Sequence, residues 1–244
     1  MVATMLETIG LTKRFGGLFA NTDINLAIAQ GEIRGLIGPN GAGKTTFINL
    51  LTGVEEPSSG DIQLGGSTLL RQAPYARARR GLLRTFQIPK LFRNMTVFEN
   101  LLIQHFASGD GTQRDARLRA DGLLDMAGLT RLRDSPASHL SGGQQALLQL
   151  LGGFMVEGLR CYLLDEPFAG VNPIVKETMV ELIQRHNRSR GITFLLVSHE
   201  MSVIRQLCSS VTVLAEGKVL IEGTLDEVTA NAQVIDAYLG KTWS

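Results

Sequence analysis

Cysteine is almost missing from this chain of 244 residues: only Cys161 and Cys208 occur, each within an apolar stretch and neither near a second cysteine or histidine at zinc-ligand spacing. A disulfide-stapled fold and a structural zinc site are therefore excluded, and both thiols read as small buried hydrophobes in a reducing compartment. No run approaches the roughly 18 consecutive apolar residues that a membrane span requires. Any membrane role must use partner subunits. The opening MVATMLETIG has no basic stretch followed by an apolar one, so no secretory leader is expected. Charge of one sign is lacking too: 24 basic and 23 acidic side chains leave a net +1, and nucleic acid is not expected as a partner. Internal repeats, heptads and low-complexity tracts are absent. With 44% apolar residues, the chain can bury the core of one large domain, or of a core with a lobe.

Against these absences stands GPNGAGKT, the residues Gly38, Pro39, Asn40, Gly41, Ala42, Gly43, Lys44 and Thr45. It is a complete phosphate-binding pattern of Gly, four residues, then Gly-Lys-Ser/Thr. The apolar run Ile33 to Ile37 before it suits a strand, and Thr45 to Leu51 after it suits a helix. Glycines free of Cβ let successive backbone N–H groups curl around a β-phosphate, and the helix N-terminus adds partial positive charge. Lys44 places a full charge where a γ-phosphate would sit, Thr45 offers a hydroxyl to Mg²⁺, and Thr46 offers one to the α-phosphate. ATP and Mg²⁺ are the expected ligands.

The first forty residues alternate short strand-prone runs with turns: Glu7 to Leu11, the pair Gly16-Gly17, Thr22 to Ala29, then Gly31. They predict a small, mainly antiparallel sheet, joined by a strand over Gly60 to Leu64. Pro74 to Arg80 predicts a short helix with Arg77, Arg79 and Arg80 on a solvated face. Between Pro89 and Phe154 the pattern is helical, with Val97, Leu101, Leu102 and Phe106 on one stripe, and Ser108 to Arg119 as a loop or weak helix start. Alternation of strand and helix resumes at Cys161, as in a parallel sheet covered by helices. Strands are expected at Cys161 to Leu164, Ile192 to Val197 and Val211 to Leu214. Asn172-Pro173 starts a helix that Gly191 stops, Glu216-Gly217 turns a hairpin, and Thr224 with Glu227 forms a capping box. The expected organisation is one domain over 1–244: a β subdomain with the phosphate loop (1–87), a helical lobe (88–155), the second part of the core (156–223), and a C-terminal helix and tail (224–244).

The strand from Cys161 ends in Asp165-Glu166, and the C-terminal edge of a parallel strand faces the crevice where a phosphate loop lies. Asp165 would hold Mg²⁺ directly or through water, and Glu166 would polarise the attacking water. The alternative is an exposed acidic pair opening a turn. Gln87, where strand-like sequence gives way to the lobe, can reach the metal or the water. His199 follows the strand Ile192 to Val197 and can donate to the γ-phosphate. Leu140-Ser141-Gly142-Gly143-Gln144 opens an apolar helix and forms a second anion-binding helix N-terminus, or else an ordinary Ser-Gly cap. Lys44, Gln87 and His199 already surround one γ-phosphate, so the second device suits a nucleotide bound by another copy.

This set, in this order, resembles the nucleotide-binding domain of ABC transporters. The resemblance covers nearly the whole chain through GPNGAGKT, Gln87, LSGGQ at Leu140, CYLLDE at Cys161 and His199. It implies an α/β P-loop NTPase core with a mainly parallel sheet, an N-terminal antiparallel β subdomain and an inserted helical lobe, the ABC ATPase fold. It further implies a head-to-tail dimer with itself or with a second ABC ATPase, closing on two ATP, with each phosphate loop facing Ser141, Gly142, Gly143 and Gln144 of the other subunit. Phe15 is implied as the aromatic that stacks on adenine.

LTKRFGG at Leu11, RTFQ at Arg84, TVFENL at Thr96, AGVNP at Ala169 and VIDAYLG at Val234 resemble ATP-binding subunits of branched-chain amino acid importers. Such a subunit lies at the cytoplasmic face of the inner membrane beneath two permease subunits, which an extracytoplasmic solute-binding protein feeds. Urea or amide importers, lipopolysaccharide-export ATPases and soluble non-transport ABC ATPases are the alternatives. Ile88, Leu91 and Phe92 either grip a permease helix or belong to the lobe core. Two departures from the family pattern stand out. Gly152-Gly153 stand in the helix after the signature, where either a kink or a different packing of the lobe is expected, and Asn172 stands where many relatives have Asp.

Overall fold

The computed structural model describes residues 3–108 and 112–239. Part of the stretch Ser108 to Arg119, and the tail from residue 240, lie outside the described residues.

The N-terminal runs form long paired strands, β1 (Thr4–Phe15) and β2 (Leu18–Ala29), joined by a turn at Gly16-Gly17. With β4 (Ser59–Leu64) and β5 (Ser67–Thr68) they make an antiparallel sheet in the order β2-β1-β4-β5. Polar and apolar residues alternate along β2, so Ile24, Leu26 and Ile28 enter the core while their neighbours stay at the surface.

The second sheet runs β10-β9-β3-β8-β7-β6, built from β3 (Ile33–Ile37), β6 (Leu82–Arg84), β7 (Cys161–Asp165), β8 (Thr193–Val197), β9 (Ser210–Ala215) and β10 (Lys218–Gly223). All its pairings are parallel except the β9/β10 hairpin. Both faces are covered, so β7 and β8 are buried at every residue and read as continuous apolar runs. Tyr162, Leu164, Phe194 and Leu196 face one core cluster, whereas Cys161, Leu163, Leu195 and Val197 face the other.

Helix α1 (Lys44–Thr52) follows β3, and α2 (Pro74–Arg79) precedes β6. Between β6 and β7 stand α3 (Val97–Ser108), α4 (Gln113–Met126) and α5 (Gly142–Phe154). Helices α6 (Pro173–Arg190) and α7 (Met201–Leu207) link β7 to β8 and β8 to β9. The C-terminal segment folds as two short helices, α8 (Leu225–Thr229) and α9 (Ala232–Leu239), the first with the expected capping box at Thr224 and Glu227.

Two sequence expectations need correction. Arg77 is not on a solvated face but 2% exposed. Its Nη1 donates to the carbonyls of Leu50 (2.6 Å) and Leu51 (2.8 Å), and its Nε to Gln72 (3.0 Å). A cation there satisfies carbonyls at the C-terminal end of α1, where the helix dipole favours it. Phe106 is exposed, because the buried stripe of α3 runs through Val97, Leu101 and His105.

Gly152-Gly153 lie inside α5, where the packing alternative applies. The helix continues through both to Phe154. A Cβ on Gly153 would lie 2.3 Å from Tyr162 Cζ, so the missing side chain lets the Tyr162 ring pack against the helix backbone. The ring is held there by its hydroxyl, which donates to the Gln149 carbonyl at 3.2 Å, and by edge contacts with Phe154. A Cβ on Gly152 would meet only the flexible Gln104 side chain, at 3.2 Å. Opposite outcomes follow for one chemical change. Gly152→Ala gains about 1 kcal/mol of stability from helix propensity, whereas Gly153→Ala loses about 2 kcal/mol because overpacking outweighs that gain. Urea unfolding of both variants checks this, and a G153A protein as stable as its parent would refute the packing role.

Candidate nucleotide and hydrolysis site

Parallel pairing of β3 with β8, β8 with β7, and β7 with β6 brings four strand ends to one edge of the sheet. The phosphate loop leaves β3, Gln87 follows β6, Glu166 follows β7 and His199 follows β8. Lys44, Thr45, Thr46, Gln87, Asp165, Glu166 and His199, remote in sequence, thus line one cleft of about 510 Å³. Crevices at strand C-termini are the ligand sites of open α/β sheets.

The phosphate loop is shaped from outside itself. Gly43, the residue before α1, has φ 97°, and a Cβ there would lie 2.5 Å from the Ala20 carbonyl. Wholly buried Asn21 donates from Nδ2 to the Gly43 carbonyl at 3.3 Å. The Gly217 amide, in the β9/β10 turn, donates to the Ala42 carbonyl at 3.1 Å. Lys44 Nζ donates to the carbonyls of Gly38 (2.6 Å) and Pro39 (3.0 Å). Burial lowers the Lys44 pKa, and the carboxylates of Glu166 and Asp165 resist the shift.

Glu166 has φ 49°, a left-handed conformation costly for a side chain of its kind. Its amide donates to the Val197 carbonyl at 3.0 Å, which fixes it at the end of β8. The His199 amide donates to Glu166 Oε2 at 3.3 Å, and His199 Nε2 stands 3.3 Å from Oε1. Oε1 is buried and has no hydrogen-bond partner of good geometry. Burial raises the carboxyl of Glu166 above the ordinary range, the charge of His199 opposes this, and Asp165 adds to it. Asp165 is raised as well, by burial first, with Arg84 pulling it down.

Thr45, Gln87 and Asp165 offer a hydroxyl, an amide and a carboxylate, an oxygen set that fits Mg²⁺. Mg²⁺ commonly keeps several waters and takes phosphate oxygens, so it needs no all-protein cage. Among the described residues, no group of three or more His, Cys, Asp or Glu could hold a metal. Asp165 Oδ2 accepts from Arg84, and no hydrogen bond to Oδ1 is made among the described residues.

Two predicted groups lie outside the cleft. Phe15, at the end of β1, is 45% exposed beneath Lys13 Nζ, and the cleft wall there is Leu18, Phe19 and Ala20 instead. Ser141, Gly142, Gly143 and Gln144 begin α5 elsewhere on the same chain. Ser141 Oγ accepts from the Gln144 amide and Gln144 Oε1 from the Ser141 amide, a capping box that leaves Ser141 and Gly142 exposed.

Sequence reasoning missed the supporting residues Arg84, Asn21, Gln149 and Tyr238. Gln149 on α5 donates to the Phe86 carbonyl (2.9 Å) and accepts from the Lys90 amide (3.0 Å), so the helical lobe grips both sides of Gln87. Tyr238 on α9 has a buried hydroxyl without a hydrogen-bond partner of good geometry; burial raises its pKa, the nearby Gly38 backbone opposes the rise and the charge of Glu166 adds to it. Arg84 alone left a usable signal: a charge closing the apolar run Leu82-Leu83, three residues before Gln87.

Comparison with known proteins agrees with this geometry. Residues 21–169 match the family described as ABC transporter, and residues 218–243 match the family described as branched-chain amino acid ATP-binding cassette transporter. The high-affinity branched-chain amino acid transport ATP-binding protein LivG of Escherichia coli is 38% identical, over 99% of this chain and 100% of that protein. The corresponding protein BraF of Pseudomonas aeruginosa is 36% identical over the same shares. A nucleotide-free ATP-binding cassette from an ABC transporter superposes with a TM-score of 0.87 at 27% identity, covering 98% of this chain and 100% of that one. A dimeric cassette in a post-hydrolysis state, bound to ADP and phosphate, superposes at 0.80 with 25% identity, covering 91% and 99%. On these grounds the chain belongs to the ABC transporter family of ATP-binding proteins.

Proposed function

We propose that the chain is the ATP-hydrolysing motor subunit of an importer for branched-chain amino acids. The observation that carries the chemistry is the convergence of Lys44, Thr45, Gln87, Asp165, Glu166 and His199 on one sheet edge. The solute class rests on the C-terminal match and on the likeness to LivG and BraF. In this reading the subunit lies at the cytoplasmic face of the inner membrane under two permease subunits, served by an extracytoplasmic binding protein. Among the described residues no helix is long and apolar enough to cross a membrane, so those partners would carry the solute.

Backbone N–H groups of Gly41 to Lys44 cradle the phosphates, and Lys44 leaves the carbonyls of Gly38 and Pro39 to meet the γ-phosphate. Thr45, Asp165 and Gln87 would hold Mg²⁺, which would supply neutralisation of the phosphate charge. The free Oε1 of Glu166 accepts the proton of the attacking water. His199 holds that carboxylate in place and offers its ring to the γ-phosphate.

Ser141 to Gln144, outside their own cleft, serve the nucleotide of the facing subunit. The dimer therefore closes head to tail on two ATP, and hydrolysis releases it. Gln149 ties the opening of the lobe to Gln87.

Glu166→Gln should retain ATP affinity and lower kcat about 10²-fold or more, the scale of losing a general base. Cells with only E166Q should lose uptake of labelled leucine and keep uptake of urea; near-parental turnover would remove Glu166 from the role.

Hydrolysis needs Glu166 ionised, and its carboxyl is raised, so kcat should fall on acidification with a midpoint above the ordinary value of about 4.3. Burial sets the direction of that shift, His199 and Lys44 oppose it, and Asp165 adds to it. An acid limb at or below the ordinary value in a pH–rate profile would contradict this.

Subunit sharing has its own test. Lys44→Ala and Ser141→Arg proteins should each be inactive alone, yet regain ATPase activity when mixed, because one site of a mixed dimer is intact. Absence of rescue would mean that the signature serves its own cleft.

A further inference from the structure

The proposed function makes Asp165 the metal-side carboxylate, and the present inference rests on that reading. We propose that Arg84 is a positioning residue for the metal of the hydrolytic site, one guanidinium that braces all three elements supplying its oxygen ligands.

The geometry is specific. Arg84 Nη2 donates to Asp165 Oδ2 at 3.1 Å, while Nη1 donates to Asn49 Oδ1 at 2.7 Å. Asn49 lies four residues after Thr45 on α1 and hence on the same face of that helix. The guanidinium carbon stands 4.7 Å from the centre of the Phe86 ring, whose residue immediately precedes Gln87. Arg84 therefore touches the helix that presents Thr45, the carboxylate of Asp165 and the segment that presents Gln87.

Asp165 is held from its backbone as well, since its amide donates to Thr85 Oγ1 at 3.0 Å and the Thr85 amide donates to the Leu163 carbonyl at 2.9 Å. With Oδ2 taken by Arg84, the carboxylate cannot rotate freely, and Oδ1 is the oxygen left for a ligand. The ion pair is largely shielded from water, its two side chains being 12% and 10% exposed. Such shielding keeps the orientation from being averaged by solvent.

Orientation of a ligating group by a hydrogen-bonded neighbour is worth about 10- to 100-fold in metal affinity. The planar fork matters here: two nitrogens of one rigid group reach Asn49 and Asp165 together, which the point charge of a lysine cannot do. Arg84 is not among the residues that line the cleft, and its guanidinium meets Asp165, Asn49, the Phe86 ring and, through Nε, the Thr85 carbonyl at 3.2 Å, so it acts through those neighbours.

The test titrates Mn²⁺ into full-length protein saturated with ADP and reads free Mn²⁺ from its EPR signal. Arg84→Lys, which keeps the charge, and Asn49→Ala, which removes one anchor, should each raise the Mn²⁺ Kd about 10-fold. Their affinity for ADP in EDTA should match the parent, a readout that general loss of structure would also have moved. Asp165→Asn is the control for the underlying reading. If D165N leaves Mn²⁺ binding intact, Asp165 is not on the metal side and the inference falls with that reading. If D165N weakens Mn²⁺ while R84K and N49A do not, the brace alone is wrong. Tighter Mn²⁺ binding in R84K would also overturn it, by showing that Arg84 competes with the cation.

Discussion

Parallel register between β3, β8 and β7 is the constraint on which the rest depends. Leu36 pairs with Val197, and Val197 with Asp165, so three loops of unrelated sequence must end side by side. At the last rung the Val197 carbonyl also accepts the Glu166 amide and so fixes a residue in a strained conformation. A shift of one residue in β7 would send Asp165 to the opposite face of the sheet. The apolar side chains of β7 and β8, sorted between two cores, make that shift prohibitive. Burial of the strands and placement of the acidic pair are thus one physical fact.

The core strands were legible because fully buried parallel strands are written as apolar runs bounded by turn residues. Ile33 to Ile37 coincides with β3, and the capping signals at Asn172 and Thr224 fall where their helices begin. The phosphate loop, the acidic pair, Gln87 and His199 were legible for a related reason: each directly follows a strand of the parallel sheet. Its reinforcement was not. Asn21, Gln149 and Gly217 act through contacts with residues 22, 63 and 175 positions away in sequence, and no local pattern encodes such a meeting. Arg77 failed for the same reason, since an arginine in a basic cluster gives no sign that helix carbonyls await it. Phe15 and Phe19 stand on either side of one turn, and local sequence does not say that Phe19 is the one that lines the cleft.

Gly152-Gly153 illustrate how a local rule yields to tertiary packing. Two adjacent glycines are poor helix formers, yet α5 runs through them because an aromatic ring fills the space a side chain would have taken. The same helix presents Ser141 at its exposed end and Gln149 at its middle. One rod therefore spans from the tip that faces outward to the segment bearing Gln87. Tight seating of Tyr162 against Gly153 ties this helix to the central sheet as well.

The turn at Glu216-Gly217 bonds both to Ala42 in the phosphate loop and to Thr22 in β2. A nascent chain halted before that turn would already contain every residue of the GPNGAGKT motif together with Ala20 and Asn21, but not the Gly217 amide that ties down Ala42. The loop thus acquires its full set of backbone contacts only after a turn 175 positions downstream has docked against it, which couples its final shape to a late step of chain collapse.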